Sequence, residues 1–262
     1  MQIEDVDVIA PQYIEVYQKE CQAIYWRLWA IHNELFILEK IESFPFDLFT
    51  AVPRRTFWKL IKRALIESII VNLWTLVAEQ DGLFALQVFQ NRIMTKFKRP
   101  DIDVSVDEYL KKQLRRVDFK SRSKQVAMKI NEIRNRYIAH MDYPTHIDPS
   151  SVVELKGLAL NIAEIKEVHQ TAYELFQVLW FGNYPVLDEW EYAPRPNAPN
   201  FITDVEILLS FVASRSSLFA QSDFAVDDKL RDERLNELTE EQIQMFNEWA
   251  EKIRLARIPT AR

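Results

Sequence analysis

Glycine is nearly missing from this chain: three residues, Gly82, Gly157 and Gly182, stand in 262. Loops that cradle phosphate, such as GxGxxG or the Walker loop, need clustered glycines to bring backbone N–H groups against the anion. Nucleotide-binding folds built on such loops are therefore disfavoured. Cysteine is scarcer still, since Cys21 stands alone. It can form neither an internal disulfide nor a cysteine-based zinc site, which points to a reducing, cytoplasmic setting. Its neighbours are tyrosines and tryptophans at helical spacing, so Cys21 reads as core. Long apolar runs are also lacking. The most apolar stretch, "LIESIIVNLWTLVAEQ" (65–80), is interrupted by Glu67 and Asn72 and is short for a bilayer span. It reads as a buried helix, and no membrane association is expected. The start, "MQIEDVDVIAPQY", carries acids where a secretion signal carries a basic end and an apolar run.

What is present is helical periodicity. Apolar residues recur three and four apart almost throughout, and period-2 stretches bounded by turn residues are hard to find, so the chain is expected to be all-α. Helices are expected over residues 12–43, 56–80, 83–97, 104–115, 119–142, 151–181, 201–214 and 227–257. In the first, Tyr13, Val16, Tyr17, Ile24, Leu28, Ile31, Leu35 and Leu38 trace one stripe. In the last, Thr239 and Gln242 have the spacing of a capping box. Gly82 suits a helix C-terminus. After Gly182 the texture changes: "NYPVLDEWEYAPRPNAPN" contains four prolines and reads as a linker or strap. Residues 1–182 are thus expected to form a helical bundle, and 183–262 a strap with additional C-terminal helices.

The net charge of −6 hides an uneven distribution. Residues 1–50 hold 3 basic against 9 acidic residues, whereas 92–136 hold 14 against 6. Such a local excess suits a phosphate-bearing partner, because neutralised phosphates release counterions. Lys111, Lys112, Arg115, Arg116, Lys120, Arg122 and Lys124 are the candidate RNA-binding residues. The same residues also suit a merely solvated helix face.

The basic segment runs into "NEIRNRYIAHMDYP" (131–144). On a helical wheel Val126, Ile130, Ile133 and Tyr137 share a face, and His140 continues it. Arg134 and Arg136 flank that stripe, while a straight helix would turn Asn135 to the opposite side. A histidine closing an apolar stripe commonly caps or packs. In the same place, neighbouring guanidiniums favour neutral imidazole, the form that accepts a proton at pH 7. Guanidinium also offers planar donors for a phosphate or for the charge developing on it. Histidine with arginine suffices to cleave RNA, whose 2'-hydroxyl is an internal nucleophile.

"RNRYIAH" followed by "MD" resembles the R-x(4–6)-H motif of the HEPN superfamily, and the form "RN...AHxD" resembles its branch related to AbiU2 abortive-infection proteins. The helical order over residues 12–182 agrees with this resemblance, which does not extend to 183–262. It implies a HEPN-like bundle that forms a homodimer, brings two motif copies into one cleft and acts as a metal-independent ribonuclease in phage defence or as a toxin. By position, Arg134 would be the motif arginine, Asn135 the polar residue after it and His140 the motif histidine. Arg136, four residues before His140, would share or take over the role of Arg134. The implied partners are RNA, with tRNA among the candidates, and an antitoxin or other defence-system component. No metal or other cofactor is expected. The alternative is a noncatalytic HEPN-like module that binds RNA or protein.

Other chemistry-bearing residues read as structural. His32 and His169 lack the Glu-x-x-His spacing of a di-iron bundle. His146, in "YPTHIDP", reads as an exposed loop residue. Trp26, Trp29, Trp58 and Trp74 lie at helical spacing among aliphatics and read as core, whereas Trp190 and Tyr192 in the strap are the aromatic residues best placed for a partner.

Overall fold

The computed structural model describes residues 3–46, 55–77, 85–135, 153–155, 158–182, 204–214 and 238–255. They are all-α apart from one short antiparallel pair of strands. The chain divides into two compact units, Met1–Leu35 with Ala64–Leu187, and Phe36–Arg63 with Asp188–Arg262.

The first unit opens with α1 (Asp5–Val8) and a 3-10 turn (Pro11–Tyr13), where Pro11 fixes the backbone at the entry to the long helix α2 (Ile14–Ser43). Tyr17, Ile24, Leu28 and Ile31 of α2 are buried, as the stripe requires, but Val16 is exposed. Helix α3 (Arg55–Val77) buries Ile66, Ile69, Ile70, Leu73 and Leu76. Each such aliphatic side chain removed from water contributes roughly 1.5–3 kcal/mol. Helix α4 (Leu86–Arg92) runs into a wider π-type turn, Ile93–Phe97.

Helix α5 (Val104–Val117) starts at Asp103, whose carboxylate accepts a hydrogen bond from the Ser105 N–H at 2.7 Å. It ends at Asp118, a non-glycine residue in the left-handed region (φ 45°), and α6 (Phe119–Ile133) begins directly beyond. One residue therefore closes one helix and launches the next, which turns the chain sharply between two basic helices. Leu110 and Val117 of α5, with Phe119, Val126, Ile130 and Ile133 of α6, are buried.

The expected helix over 151–181 is corrected at its start. Val153–Leu155 (β1) and Leu158–Leu160 (β2) pair antiparallel, with Val153 opposite Leu160. Helix α7 (Ile162–Leu179) begins only after Asn161. The Asn161 carboxamide oxygen accepts from the Glu164 N–H at 2.8 Å, and the Glu164 carboxylate accepts from the Asn161 N–H at 3.1 Å. This reciprocal cap fixes the helix start and releases the preceding residues to pair as strands.

The second unit contains residues 36–43 of α2 and 55–63 of α3 with α8 (Asp204–Ser214) and α9 (Glu240–Leu255). Phe44 packs edge-to-face on Trp249, with centroids 4.8 Å apart. The buried carboxylate of Glu206 meets Lys40 at 3.0 Å and Lys252 at 3.4 Å, so its charge is compensated from two helices. The expected cap of α9 is present: the Gln242 N–H donates to Thr239 Oγ1 at 3.2 Å, and the Thr239 N–H to Gln242 Oε1 at 2.9 Å. Among the described residues no helix is long and apolar enough to cross a membrane.

Candidate functional site

Helix α6 carries the first residues of the motif, 131–133, at its C-terminal end. Val126, Ile130 and Ile133 hold its inner face, and at Arg134 and Asn135 the backbone widens into a π-type turn. Asn135 is half-buried one turn beyond Asn131, on the side where i,i+4 spacing places it, and its Nδ2 lies 3.4 Å from Asn131 Oδ1.

Arg134 is held from two directions. Its guanidinium carbon lies 4.2 Å from the centroid of the Trp74 ring, and its Nη1 donates to Asn135 Oδ1 at 3.0 Å. Trp74 is fixed in turn, because its Nε1–H donates to Asn131 Oδ1 at 3.0 Å. The four side chains form a continuous half-buried set across α3 and α6. A guanidinium lying on an aromatic face keeps donors at its edge available to an anion while its plane is held. Arg136 and His140 lie outside the described residues, as do Tyr137, His146, Trp190, Tyr192 and Gly82.

The seven candidate RNA-binding residues are all exposed along α5 and α6. Lys111 pairs with Asp107 at 2.7 Å and Arg122 with Glu174 at 2.7 Å. Lys112, Arg115, Arg116 and Lys124 form no ion pair among the described residues. A cavity of about 370 Å³ opens beside this face, lined by Tyr109, Gln113, Arg116, Glu174, Gln177 and Trp180 among others.

Sequence reasoning missed the supports of Arg134. Trp74 read as core, although it is half-buried and polar at its Nε1 end. Asn131 and Asn135, four apart, were the available signal. A second polar cluster joins α2 and α3, where Ser68 Oγ donates to the Glu34 carboxylate and Asn72 Nδ2 lies 3.5 Å from it. Burial raises the Glu34 carboxyl above its ordinary range, against the lowering effect of those hydrogen bonds. Asn72 was visible as a break in the apolar run, but its partner was not.

The remaining histidines read as expected. His169 is buried with Nε2 3.0 Å from the Leu28 carbonyl, and His32 stands 5.9 Å away, centroid to centroid. Burial lowers His169 to about 4, partly offset by the Leu28 bond and deepened by His32, so the ring is neutral at pH 7. Among the described residues no group of His, Cys, Asp and Glu is disposed to hold a metal.

Comparison of the chain with protein-family models, curated proteins and solved structures finds no match.

Proposed function

We propose that the chain is a metal-independent endoribonuclease of the HEPN type, serving in phage defence or a toxin–antitoxin-like system and working as a homodimer. The observation that supports this reading is the fixing of Arg134 over Trp74 at the end of a helix whose exposed face is basic. In this reaction His140 handles the proton on the attacking or the leaving oxygen. The 2'-hydroxyl gives its proton to the imidazole or to water as the 2'-oxygen bonds to phosphorus. The bond from phosphorus to the 5'-oxygen breaks, the leaving oxygen takes a proton from water or from the imidazolium, and a 2',3'-cyclic phosphate remains. Arg134, with Arg136 as helper or substitute and Asn135 holding its partner, stabilises the charge on the phosphoryl oxygens. Lys112, Arg115, Arg116 and Lys124, with Lys111, Lys120 and Arg122, guide the RNA backbone. The cavity beside Arg116 suits an unstacked base, with Gln113 and Gln177 offering amide groups to its edge.

The test is cleavage of total RNA and tRNA in EDTA by the wild type and His140→Ala, with circular dichroism to verify folding. Cyclic phosphate ends from the wild type alone are expected. Equal cleavage by both proteins overturns the assignment of His140.

One observation favours a noncatalytic HEPN-like module that binds RNA or protein: the Arg134 guanidinium is already engaged by Trp74 and Asn135. In that case RNA or a protein partner binds with no chemistry, and both folded proteins leave RNA intact.

A further inference from the structure

A second cavity, of about 590 Å³, lies in the first unit between α1, α2 and the segment that follows α7. Its wall is aromatic and its rim acidic. Tyr25 stands edge-on to Trp26, with centroids 5.4 Å apart and planes at 67°, and edge-on to Trp180, at 6.0 Å and 68°. Rings crossed in this way set the edge of one against the face of another, so the wall offers both edges and faces. A ring face turned to the cavity attracts a cation more than a neutral guest of the same shape.

The charged groups lining the cavity carry the same sign. Glu4 and Asp5 contribute carboxylates, and no lysine, arginine or histidine is among the described residues that line it. The Asp5 carboxylate accepts from the neutral amide of Gln18 at 2.7 Å, which orients it without cancelling its charge. Its field reaches the inner wall: burial is the main reason that the Cys21 thiol is pushed up to about 12, and the charges of Glu20 and Asp5 add to it. Gly182, at φ +91°, lets the backbone pass close to Glu4, since a Cβ there would stand 3.1 Å from Glu4 Oε2. The Gly182 N–H also donates to the Ile3 carbonyl at 2.9 Å, which fixes the rim against α1.

We infer that this cavity is a binding site for a small alkylammonium ion, held by the crossed rings of Tyr25, Trp26 and Trp180 and by the carboxylates of Glu4 and Asp5. A volume of this size admits a small organic molecule. Alkylated nitrogen suits it better than a metal ion, because a soft, weakly hydrated charge loses little on leaving water and gains aromatic contact. The site is separate from Arg134 and does not depend on the ribonuclease reading.

The test uses the full chain and its own tryptophan fluorescence, because Trp26 and Trp180 report on the cavity directly. Choline and tetramethylammonium chloride are titrated against potassium chloride at equal ionic strength. The uncharged isostere of choline, 3,3-dimethylbutan-1-ol, is titrated in parallel. Saturable quenching by both ammonium ions and none by the alcohol is expected. Trp26 is 52% exposed, so Trp26→Leu costs little packing. Trp26→Leu and Asp5→Asn, each verified as folded by circular dichroism, should each weaken choline binding by about tenfold in a calorimetric titration. The inference is overturned if neither ammonium ion binds, if the alcohol binds equally well, or if both variants keep wild-type affinity.

Discussion

The guanidinium carbon of Arg134 lies over the Trp74 ring, 4.2 Å from its centroid, and the indole N–H of the same Trp74 donates to Asn131 Oδ1 on the helix that carries Arg134. The tryptophan thus acts on both ends of one helical turn, lying under the arginine and holding the Asn131 side chain.

That double contact separates two substitutions. Trp74→Phe keeps an aromatic face and loses the Asn131 hydrogen bond, at a cost of about 0.5–1.5 kcal/mol. Trp74→Leu loses the stacked cation as well, adding about 0.5–2 kcal/mol. Urea unfolding should rank them wild type, Phe, Leu. If Arg134 acts on the phosphate, RNA cleavage should fall in the same order; activity that follows Phe and Leu equally would disconnect the stacking from catalysis.

The basic face predicts a salt signature. Replacing Lys112, Arg115, Arg116 and Lys124 by alanine removes four positive charges that no described carboxylate neutralises. Single-stranded RNA affinity should drop, and the slope of log K against log salt should become shallower by about 3. Fluorescence anisotropy at several potassium chloride concentrations measures both, and an unchanged slope would mean that RNA does not lie on α5 and α6.

His169 predicts acid sensitivity. Its folded value of about 4 lies below the ordinary 6.5, so between these limits the unfolded chain binds a proton that the folded chain refuses. Its contribution is complete above pH 6.5 and is lost as pH falls through the window, amounting to roughly 3 kcal/mol at its acid end. Glu34 and Glu20, whose values burial raises, act in the opposite sense. Isolating the histidine therefore requires His169→Gln, whose amide N–H can still donate to Leu28. The variant should lose less stability than the wild type between pH 7 and pH 5 in urea unfolding.

Tyr17 joins the two ends of the first unit through its hydroxyl, which donates to the Leu179 carbonyl at 2.9 Å and accepts from the Phe181 N–H at 2.8 Å. Tyr17→Phe leaves both backbone groups without this partner in a buried place. A loss of about 1–3 kcal/mol is expected. A melting temperature equal to that of the wild type would show that another group, or water, replaces the hydroxyl.

The helices were legible because their signals are local. The buried stripe of α2 repeats every three to four residues, and the Thr239–Gln242 box lies within one turn, so neither needs knowledge of the fold. Val16 fell outside that logic: it continues the α2 stripe in sequence yet is exposed, because burial also depends on which face a neighbour covers. The strands at 153–160 were hidden for a different reason. Three-residue strands are too short to show alternation clearly, and the Asn161 cap that excludes them from α7 was the better signal. Around Arg134 the motif was visible and its geometry was not. The wheel puts Asn131 and Asn135 on one side, but spacing alone does not show that Asn131 ties down Trp74 while Asn135 accepts from Arg134. Nor does one-dimensional spacing reveal that Trp74, sixty residues earlier in the chain, supplies the surface on which Arg134 lies.

The segment around α1 has a consequence for how the chain is made. Its backbone is secured by partners far downstream: Ala10 N–H to the Phe97 carbonyl at 2.8 Å, Arg99 N–H to the Val8 carbonyl at 2.8 Å, and Gly182 N–H to the Ile3 carbonyl. During synthesis the residues of this segment leave the ribosome long before the residues that hold them. Val8 and Ile9, fully buried in the finished fold, must remain uncovered until about a hundred residues have followed, and Ile3 waits longer still. This segment is made well before the partners that lock it, and a nascent chain stalled before Gly182 presents it without all of them to whatever chaperone meets it.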